Sequence, residues 1–540
     1  MNNADLIVAT LKAAGITRGF GIPSGNVLPL IEAMRQGGID FVLTAHEGSA
    51  GFAADVTGRL TGAPGFCLAT LGPGATNLAT GIGNAWLDRS PLIAITCNLN
   101  TDQLGRRIQM WIDHHALFRP ITKATLPLRH GEIAATLVEA IRLALSEPQG
   151  PVHLDLPEDV ALAPTNETVP NIGALAVPTP LPDADAAAIL RARDLITAAR
   201  RPITVIGASA MRLRDPDALR RVVEHYGLPF ATTTMAKGLI AEDHPLSLGC
   251  IERACRQVQR KLLRSADLIV GLGHDTIEVE YEAWIGDVPL VHVDIEAADI
   301  APSVRLVHQV IGELSSSLTG FLTQPPSPPQ QSRTIRESDV AAHCRTFQSA
   351  LRPGNGGFTA HAAIDAVRRA LPADGVLAFD VGAHTHQIAS QWPAYGPKTF
   401  LITNGWSSMG FGLPAAIAAK LARPNLPVVC LIGDGCFQMT CGEVAVAKRH
   451  KLALPIVVLD DRWLALIKVK QIRRQFPLYG TALQEEEYQE PPAHYFGVPA
   501  RGVRGPEDLE AAVRQALAAD GPTVIEAVVD SEHYIDTVYD

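Results

Sequence analysis

Long apolar runs are missing from this 540-residue chain. None reaches the ~18 consecutive apolar residues of a membrane-spanning helix, so no membrane partner is expected. Excess positive charge is missing too. The 46 Lys and Arg stand against 56 Asp and Glu, a formal charge of −10. That balance excludes generic binding to a nucleic-acid backbone. The eight cysteines form no CxxC and no zinc-type spacing, and read as buried apolar residues of a reduced compartment. The N-terminus carries no basic segment followed by an apolar one, so no secretory leader is expected. The expectation is a soluble, cytoplasmic protein. Disorder is excluded as the main state, because 47% of the residues are hydrophobic and only 19% charged.

At roughly 150 residues per domain, the length predicts three or four domains. Short apolar runs bounded by Gly or Pro alternate with helical stretches, which predicts parallel βαβ units covered by helices on both faces. The predicted strands include Phe41–Leu43, Phe66–Thr70, Leu92–Thr96 and Gly150–Pro157, then Ile203–Ile206, Leu268–Val270 and Leu290–Asp294, and finally Val376–Phe379, Val428–Ile432 and Ile456–Leu459. Two Pro-rich stretches, about 163–184 and 323–338, read as linkers. The expected fold class is therefore α/β, with three doubly wound parallel-sheet domains over 1–165, 185–322 and 339–540.

The third domain carries the strongest chemical signal. One strand ends in Gly433-Asp434-Gly435, a helical stretch over Thr440–Lys448 follows, and the next strand ends in Asp460-Asp461. In a parallel sheet both acidic sites fall at carboxyl ends of strands, where such folds bind ligands. Glycines beside Asp434 let the backbone approach a bulky anion. Two strand-end carboxylates could hold one magnesium ion, which normally completes its shell with phosphate oxygens. In the first domain, Glu47 opens a small-residue helical segment, where it could serve chemistry or merely cap the helix. Gly72-Pro73-Gly74 then marks a strand-to-helix turn.

Taken in order, Gly21-Ile22-Pro23, the Glu47 segment, Gly72-Pro73-Gly74, Gly150-Pro151-Val152 with Asp155-Leu156-Pro157, Met409 to Ala416 (MGFGLPAA), and Gly433-Asp434-Gly435 with Asp461 span essentially the whole chain. This set resembles the thiamine diphosphate-dependent enzymes of the acetolactate synthase and 2-oxoacid decarboxylase superfamily. The resemblance implies a pyrimidine-binding domain, a central Rossmann-like domain and a diphosphate-binding domain. It makes Glu47 the carboxylate that hydrogen-bonds the cofactor's pyrimidine N1′ and drives the proton relay toward thiazolium C2. Asp434, Asp461 and the backbone carbonyl of Trp463 become the Mg2+ ligands. Gly435 and Cys436 would offer N–H groups to the diphosphate, with Gly382, Ala383 and His384 close by. Gly433, Ser407, Met439, Gly72 and Asn77 complete the cofactor-binding set, and Met409 matches the residue that props the bent cofactor. In such enzymes the two halves meet across a subunit interface, which implies a homodimer or homotetramer.

Within the superfamily, Ala231–Gly238 (ATTTMAKG), Glu242–Ser247 and Ala116–Lys123 (ALFRPITK) are similar to acetolactate synthases. The region from Gly271 to Asp294 looks like the catabolic, flavin-free branch, lacking the Arg-Phe-Asp-Asp-Arg run associated with flavin, so FAD is not expected. The substrate implied is a small 2-oxoacid, pyruvate first. Met110 and Gly48 stand where glutamine is usual and bear on the acceptor, and Glu158 stands where biosynthetic enzymes commonly have lysine. The segment Trp463–Arg474 is where relatives build a substrate wall. Another 2-oxoacid decarboxylase, an acetyltransferase for sulfonated or phosphonated aldehydes, and a non-catalytic relative are the alternatives. An NAD-dependent dehydrogenase is disfavoured, because no GxGxxG follows the first strand of any domain.

Overall fold

Strands that are covered on both faces are apolar at most positions, which is why the buried runs in this sequence are near-continuous rather than alternating. In the computed structural model, which describes residues 1–323, 333–354, 357–484 and 490–538, these runs form three separate sheets. The first contains β1 (Arg18–Gly21), β2 (Asp40–Leu43), β3 (Gly65–Thr70), β4 (Leu92–Asn98), β5 (Ala124–Pro127) and β6 (Pro151–Pro157). Its order is β2-β1-β3-β4-β6-β5, all parallel. The second contains β7 (Pro202–Ile206), β8 (Phe230–Thr232), β9 (Ser247–Cys250), β10 (Leu268–Leu272), β11 (Leu290–Asp294) and β12 (Leu306–Ile311). Its order is β12-β11-β10-β7-β8-β9, again all parallel.

The third sheet contains β13 (Val376–Phe379), β14 (Phe400–Leu401), β15 (Val428–Gly433), β16 (Pro455–Asp460), β17 (His494–Tyr495), β18 (Val498–Val503) and β19 (Thr523–Val528). The order is β14-β13-β15-β16-β19-β18-β17, antiparallel only where β17 pairs with β18. The chain is thus three doubly wound parallel α/β units. Among the described residues no helix is long and apolar enough to cross a membrane.

Seven helices position the functional groups or the units that carry them: α1 (Glu47–Thr61), α2 (Pro73–Leu87), α3 (Glu337–Ala350), α4 (Ala383–Gln391), α5 (Gly412–Ala422), α6 (Asp434–Thr440) and α7 (Ala465–Arg473). The first and third sheets share one apolar core. Helix α1 is buried from Glu47 to Gly58, packing on α2 and α5. Phe52 meets Phe411 edge-to-face with ring centroids 5.6 Å apart. Helices α1 and α2 touch backbone to backbone: a Cβ on Gly81 would fall 2.5 Å from Gly51 Cα.

Three sequence expectations change. The stretch at 163–184 is strapped to the surface. Glu167 accepts from Ile133 N (3.2 Å) and Ala134 N (2.9 Å), Thr179 N donates to Ser146 Oγ (2.9 Å), and Ile172–Leu175 forms a helical turn. Of the second linker, residues 324–332 lie outside the described residues, and helix α3 already begins at Glu337. That helix, assigned by sequence mostly to the third domain, packs on the central unit, with Val340 in the core of the second sheet and Phe347 against Ala254. Finally, the helix expected over 440–448 starts at Asp434, breaks into a tight turn at Cys441–Glu443, and resumes as Val444–Arg449. The break is tertiary in origin. A Cβ on Gly442 would lie 3.1 Å from Ala45 Cβ, and the Glu443 carboxylate turns onto Ala45 N (3.0 Å) and His46 N (3.1 Å).

This packing sets two stability outcomes. Gly81→Val forces α1 and α2 apart, and denaturant unfolding should show a loss of about 1–3 kcal/mol. The second concerns Asp294, which ends β11 and is held by Ile295 N (2.7 Å) and Ser209 Oγ (3.2 Å). Burial pushes its carboxyl up to about 6. The folded chain therefore keeps this proton over a range where the unfolded chain, at about 3.9, releases it. Its contribution is complete below about pH 4 and is lost as pH rises through about 6, a change of up to about 3 kcal/mol. Urea unfolding between pH 4 and 7 should show that slope, and Asp294→Asn should remove it.

Candidate active site

In the third sheet, successive connections run outward in opposite directions from β13 and β15, which lie side by side. Such a switch point opens a crevice at the carboxyl ends of the strands. Strand β13 runs into Asp380 and α4, and β15 runs directly into α6. A cavity of about 120 Å³ lies there. Its walls include seven residues expected to touch the cofactor (Gly382, Ala383, His384, Met409, Gly433, Gly435 and Cys436) and three expected to hold the metal (Asp434, Asp461 and Trp463).

Asp434 is buried, its Oδ1 accepting Gly435 N (2.7 Å) and its Oδ2 accepting Arg462 N (2.8 Å). Arg462 adopts φ 65°, and its N–H is shared with Asp460 Oδ1 (3.2 Å). Asp461 Oδ1 accepts Trp463 N (3.0 Å). No Lys or Arg among the described residues forms an ion pair with any of these three carboxylates. Burial, and then the neighbouring Asp461 and Asp460, push the Asp434 carboxyl well above its ordinary range, and burial does the same to Asp461. No Lys or Arg balances this acid cluster among the described residues, a deficit that fits a divalent cation.

Glycines flank Asp434 and the neighbouring turn, leaving bare backbone. A Cβ on Gly382 would fall 2.5 Å from His384 Cε1, one on Gly433 2.9 Å from the same atom, and one on Gly435 3.0 Å from Leu464 Cδ2. His384 Nε2 and Asp380 Oδ1, 3.5 Å apart, are buried without a hydrogen-bond partner. Orphaned polar atoms and bare backbone beside a cation-seeking acid pair fit the diphosphate end of the cofactor with its metal. Met409 reaches across the turn, its Cε 3.2 Å from the position a Cβ on Gly435 would take.

Other expected residues lie elsewhere. Met439 is 62% exposed at the end of α6. Ser407 is exposed, with φ 53° and its hydroxyl donating to Asn404 O. Neither lines the cavity, because both sit where the chain turns outward.

Glu47, Asn77 and Gly72 gather instead at the carboxyl end of the first sheet. Glu47 Oε2 accepts Asn77 Nδ2 (3.0 Å), and Oε1 faces Gly74. Glu47 does not cap α1: His46 does, through Nδ1 accepting Gly48 N at 3.0 Å. Gly72 at φ 63° passes under Met110, whose carbonyl would sit 2.6 Å from any Cβ there. No residue of this group lines the third-sheet cavity. Within one chain the two half-sites are separate.

Sequence reasoning missed Asp380, which is fully buried, its Oδ2 accepting Gly410 N (3.1 Å) and Gly412 N (3.3 Å). Its signal was available, an acid directly after the apolar run Val376–Phe379, as at Asp434 and Asp460. Tyr534, which also lines the cavity, comes from a short C-terminal helix that no motif announces.

Three doubly wound units, with a glycine-flanked acid cluster on one sheet and a carboxylate–amide pair on another, define a cofactor-dependent α/β enzyme. Models of the thiamine pyrophosphate enzymes match in succession: the N-terminal TPP binding domain over 1–117, the central domain over 189–321, and the C-terminal TPP binding domain over 380–527. The chain is 31% identical to the acetolactate synthase isozyme 1 large subunit of Escherichia coli (strain K12), covering 98% of this chain and 94% of the relative. It is 29% identical to the acetolactate synthase of Bacillus subtilis (strain 168), covering 99% and 95%. It is 28% identical to the probable acetolactate synthase large subunit of Methanococcus aeolicus, covering 100% and 94%. The chain belongs to the thiamine diphosphate-dependent enzymes of the acetolactate synthase-like family, and is an enzyme of the carboligase or lyase kind.

Removing one uncompensated charge should relieve the cofactor-free fold. Asp434→Asn is expected to raise its stability by on the order of 1 kcal/mol in thermal unfolding, while weakening divalent-cation binding measured by titration calorimetry.

Proposed function

We propose that this protein binds thiamine diphosphate through Mg2+, decarboxylates a small 2-oxoacid, pyruvate first, and joins the two-carbon unit to a second keto group, as an acetolactate synthase. The carrying observation is the cation-less carboxylate pair Asp434 and Asp461 facing a glycine-walled cavity. Asp434, Asp461 and the Trp463 carbonyl would hold the metal, and Gly382, His384, Gly433 and Cys436 would surround the diphosphate. When bound, thiamine diphosphate supplies a carbon nucleophile and an electron sink for decarboxylation.

The chain's own residues do the rest. One oxygen of Glu47 is fixed by Asn77 (3.0 Å), so the other is free to share a proton with the pyrimidine nitrogen, a general acid–base role. The backbone N–H groups of Gly435 and Arg462 hold one oxygen each of Asp434, which orients the remaining lone pairs toward a cation. Met409 offers an apolar support.

A cavity of about 120 Å³ is smaller than the ~300 Å³ or more of sites that enclose a whole small molecule, and Glu47 is not on its wall. A second copy of the chain completes the site, bringing its Glu47 to the pyrimidine, so the working unit is at least a homodimer. The reading is flavin-free. At the carboxyl end of the central sheet, Glu278 accepts Ala208 N (2.8 Å), Met235 N (3.0 Å) and the Thr233 hydroxyl (2.8 Å), groups that a dinucleotide phosphate would otherwise use.

The test is product analysis of purified protein with thiamine diphosphate, Mg2+ and pyruvate. Acetolactate supports the proposal; aldehyde release without coupling, or coupling only to another acceptor, replaces it. Glu47→Gln should keep the circular-dichroism spectrum and cut turnover by about 10²–10⁴-fold.

A further inference from the structure

The segment from Ile402 to Gly412 carries Met409 to the cavity and is gripped at both ends by buried carboxylates. At its far end Asp380 accepts Gly410 N and Gly412 N. At its near end the grip comes from another unit, the first. Asp88, just past the end of α2, accepts Gly405 N (2.7 Å) and Asn404 N (3.2 Å). Arg59 of α1 donates to Ile402 O (2.8 Å), and the Thr403 hydroxyl donates to Asn84 of α2. Trp406 lies over Gly83 so closely that a Cβ there would be 2.6 Å from the indole. Four consecutive backbone or side-chain groups, 402–405, are thus held by polar side chains of α1 and the end of α2.

The charge balance makes this grip mutual. Arg59 is shared between Asp55 (2.6 Å) and Asp88 (2.8 Å), both essentially inaccessible to solvent. One cation between two acids leaves the cluster net negative. The deficit is met by neutral donors, Asn84 Nδ2 on Asp55 and the N–H groups of Asn404 and Gly405 on Asp88. A buried network is stable only when fully satisfied, so the loop is needed by the acids as the acids are needed by the loop. Between the two grips stands Ser407 with φ 53°, a conformation that persists only where the surroundings impose it.

We infer that Asp88 is a positioning residue. Acting through the 402–405 backbone from outside the cavity, it fixes the height of Met409 over the Gly435 turn and so pre-forms the thiamine diphosphate site of the third unit. This rests on the cofactor reading proposed above. The first unit thereby serves the cofactor site of its own chain as a clamp, in addition to whatever Glu47 contributes.

The test uses the full-length protein and two variants. Asp88→Asn keeps the shape but removes the charge that draws two N–H groups, and Thr403→Val cuts the grip from the loop side, removing the hydroxyl on Asn84 while leaving Arg59, Asp55 and Asp88 unaltered. Amide hydrogen exchange over 402–412 is followed by mass spectrometry on cofactor-free protein. Thiamine diphosphate affinity is read by titration calorimetry, since Trp406 lies within the segment under test and its fluorescence would report the loop as well as the cavity. Expected are faster exchange confined to 402–412 in both variants and a dissociation constant raised about tenfold or more, with turnover recovering when the cofactor is saturating. Parent-like exchange over 402–412, or parent-like affinity in both variants while the parent itself binds, overturns the clamp alone. Failure of the unaltered protein to bind thiamine diphosphate overturns the cofactor reading, and this inference with it.

Discussion

Carboxylates buried at the ends of apolar strands, without cations to pair with, are the constraint around which the third sheet is organised. Isolating an ionised acid from water is costly unless donors or counter-ions replace the lost hydration. Asp380 meets this with two backbone N–H groups of the chain that returns past it. Asp434 and Asp461 are met only in part, and they crowd each other. The fold therefore crowds acids that its own packing does not neutralise, and the Asp434 carboxyl is pushed up in consequence. A ligand bound only by the folded state adds stability by mass action, about 2.7 kcal/mol at a hundredfold excess over its dissociation constant. Such a site is built to be completed.

The second organising fact is that the first and third units are one packed body while Glu47 and Asn77 lie off the wall of the third-sheet cavity. Helix α1 lies in the shared core along most of its length, and the glycine contact with α2 lets the two helices act as a single layer. Helix α2, 15 residues long, spans about 22 Å at 1.5 Å per residue. Its start faces Glu47 through Asn77, and just beyond its end Asp88 holds the Met409 segment. One helix thus carries Asn77, the partner of Glu47, near its start and leads at its end into Asp88, which holds the Met409 segment. Their relative placement is set by covalent geometry rather than by loop contacts.

Much of this is legible in the sequence, for a physical reason. Strands buried on both faces are mostly apolar, so Leu290–Asp294 and Val376–Phe379 can be read to the residue. Edge strands cannot: β12 is half exposed and β14 is two residues long, too little pattern to separate from loop. Glu47, Asp434 and Asp461 stand out because chemistry at strand ends needs acids beside small residues. The start of α6 does not, since Gly-Asp-Gly reads as a turn until tertiary packing draws it into a helix. Likewise the periodicity of α3 predicts a helix without saying which sheet it covers. Ser407 and Met439 enter through family resemblance, which carries position in the chain but not exposure, and they lie outside the cavity.

The three strand-end acids also show why residue type alone does not separate structural from ligand-holding roles. A carboxylate offers about four acceptor positions. Asp380 and Asp434 each have two occupied by backbone N–H groups, so donor count does not distinguish them. What differs is the neighbour. Asp380 has the His384 ring beside it, Nε2 lying 3.5 Å from its free oxygen. Asp434 faces Asp461 and Asp460, which cannot lend it a positive charge in any protonation state. Either a retained proton, which burial beside two acids favours, or a bound cation offsets that crowding.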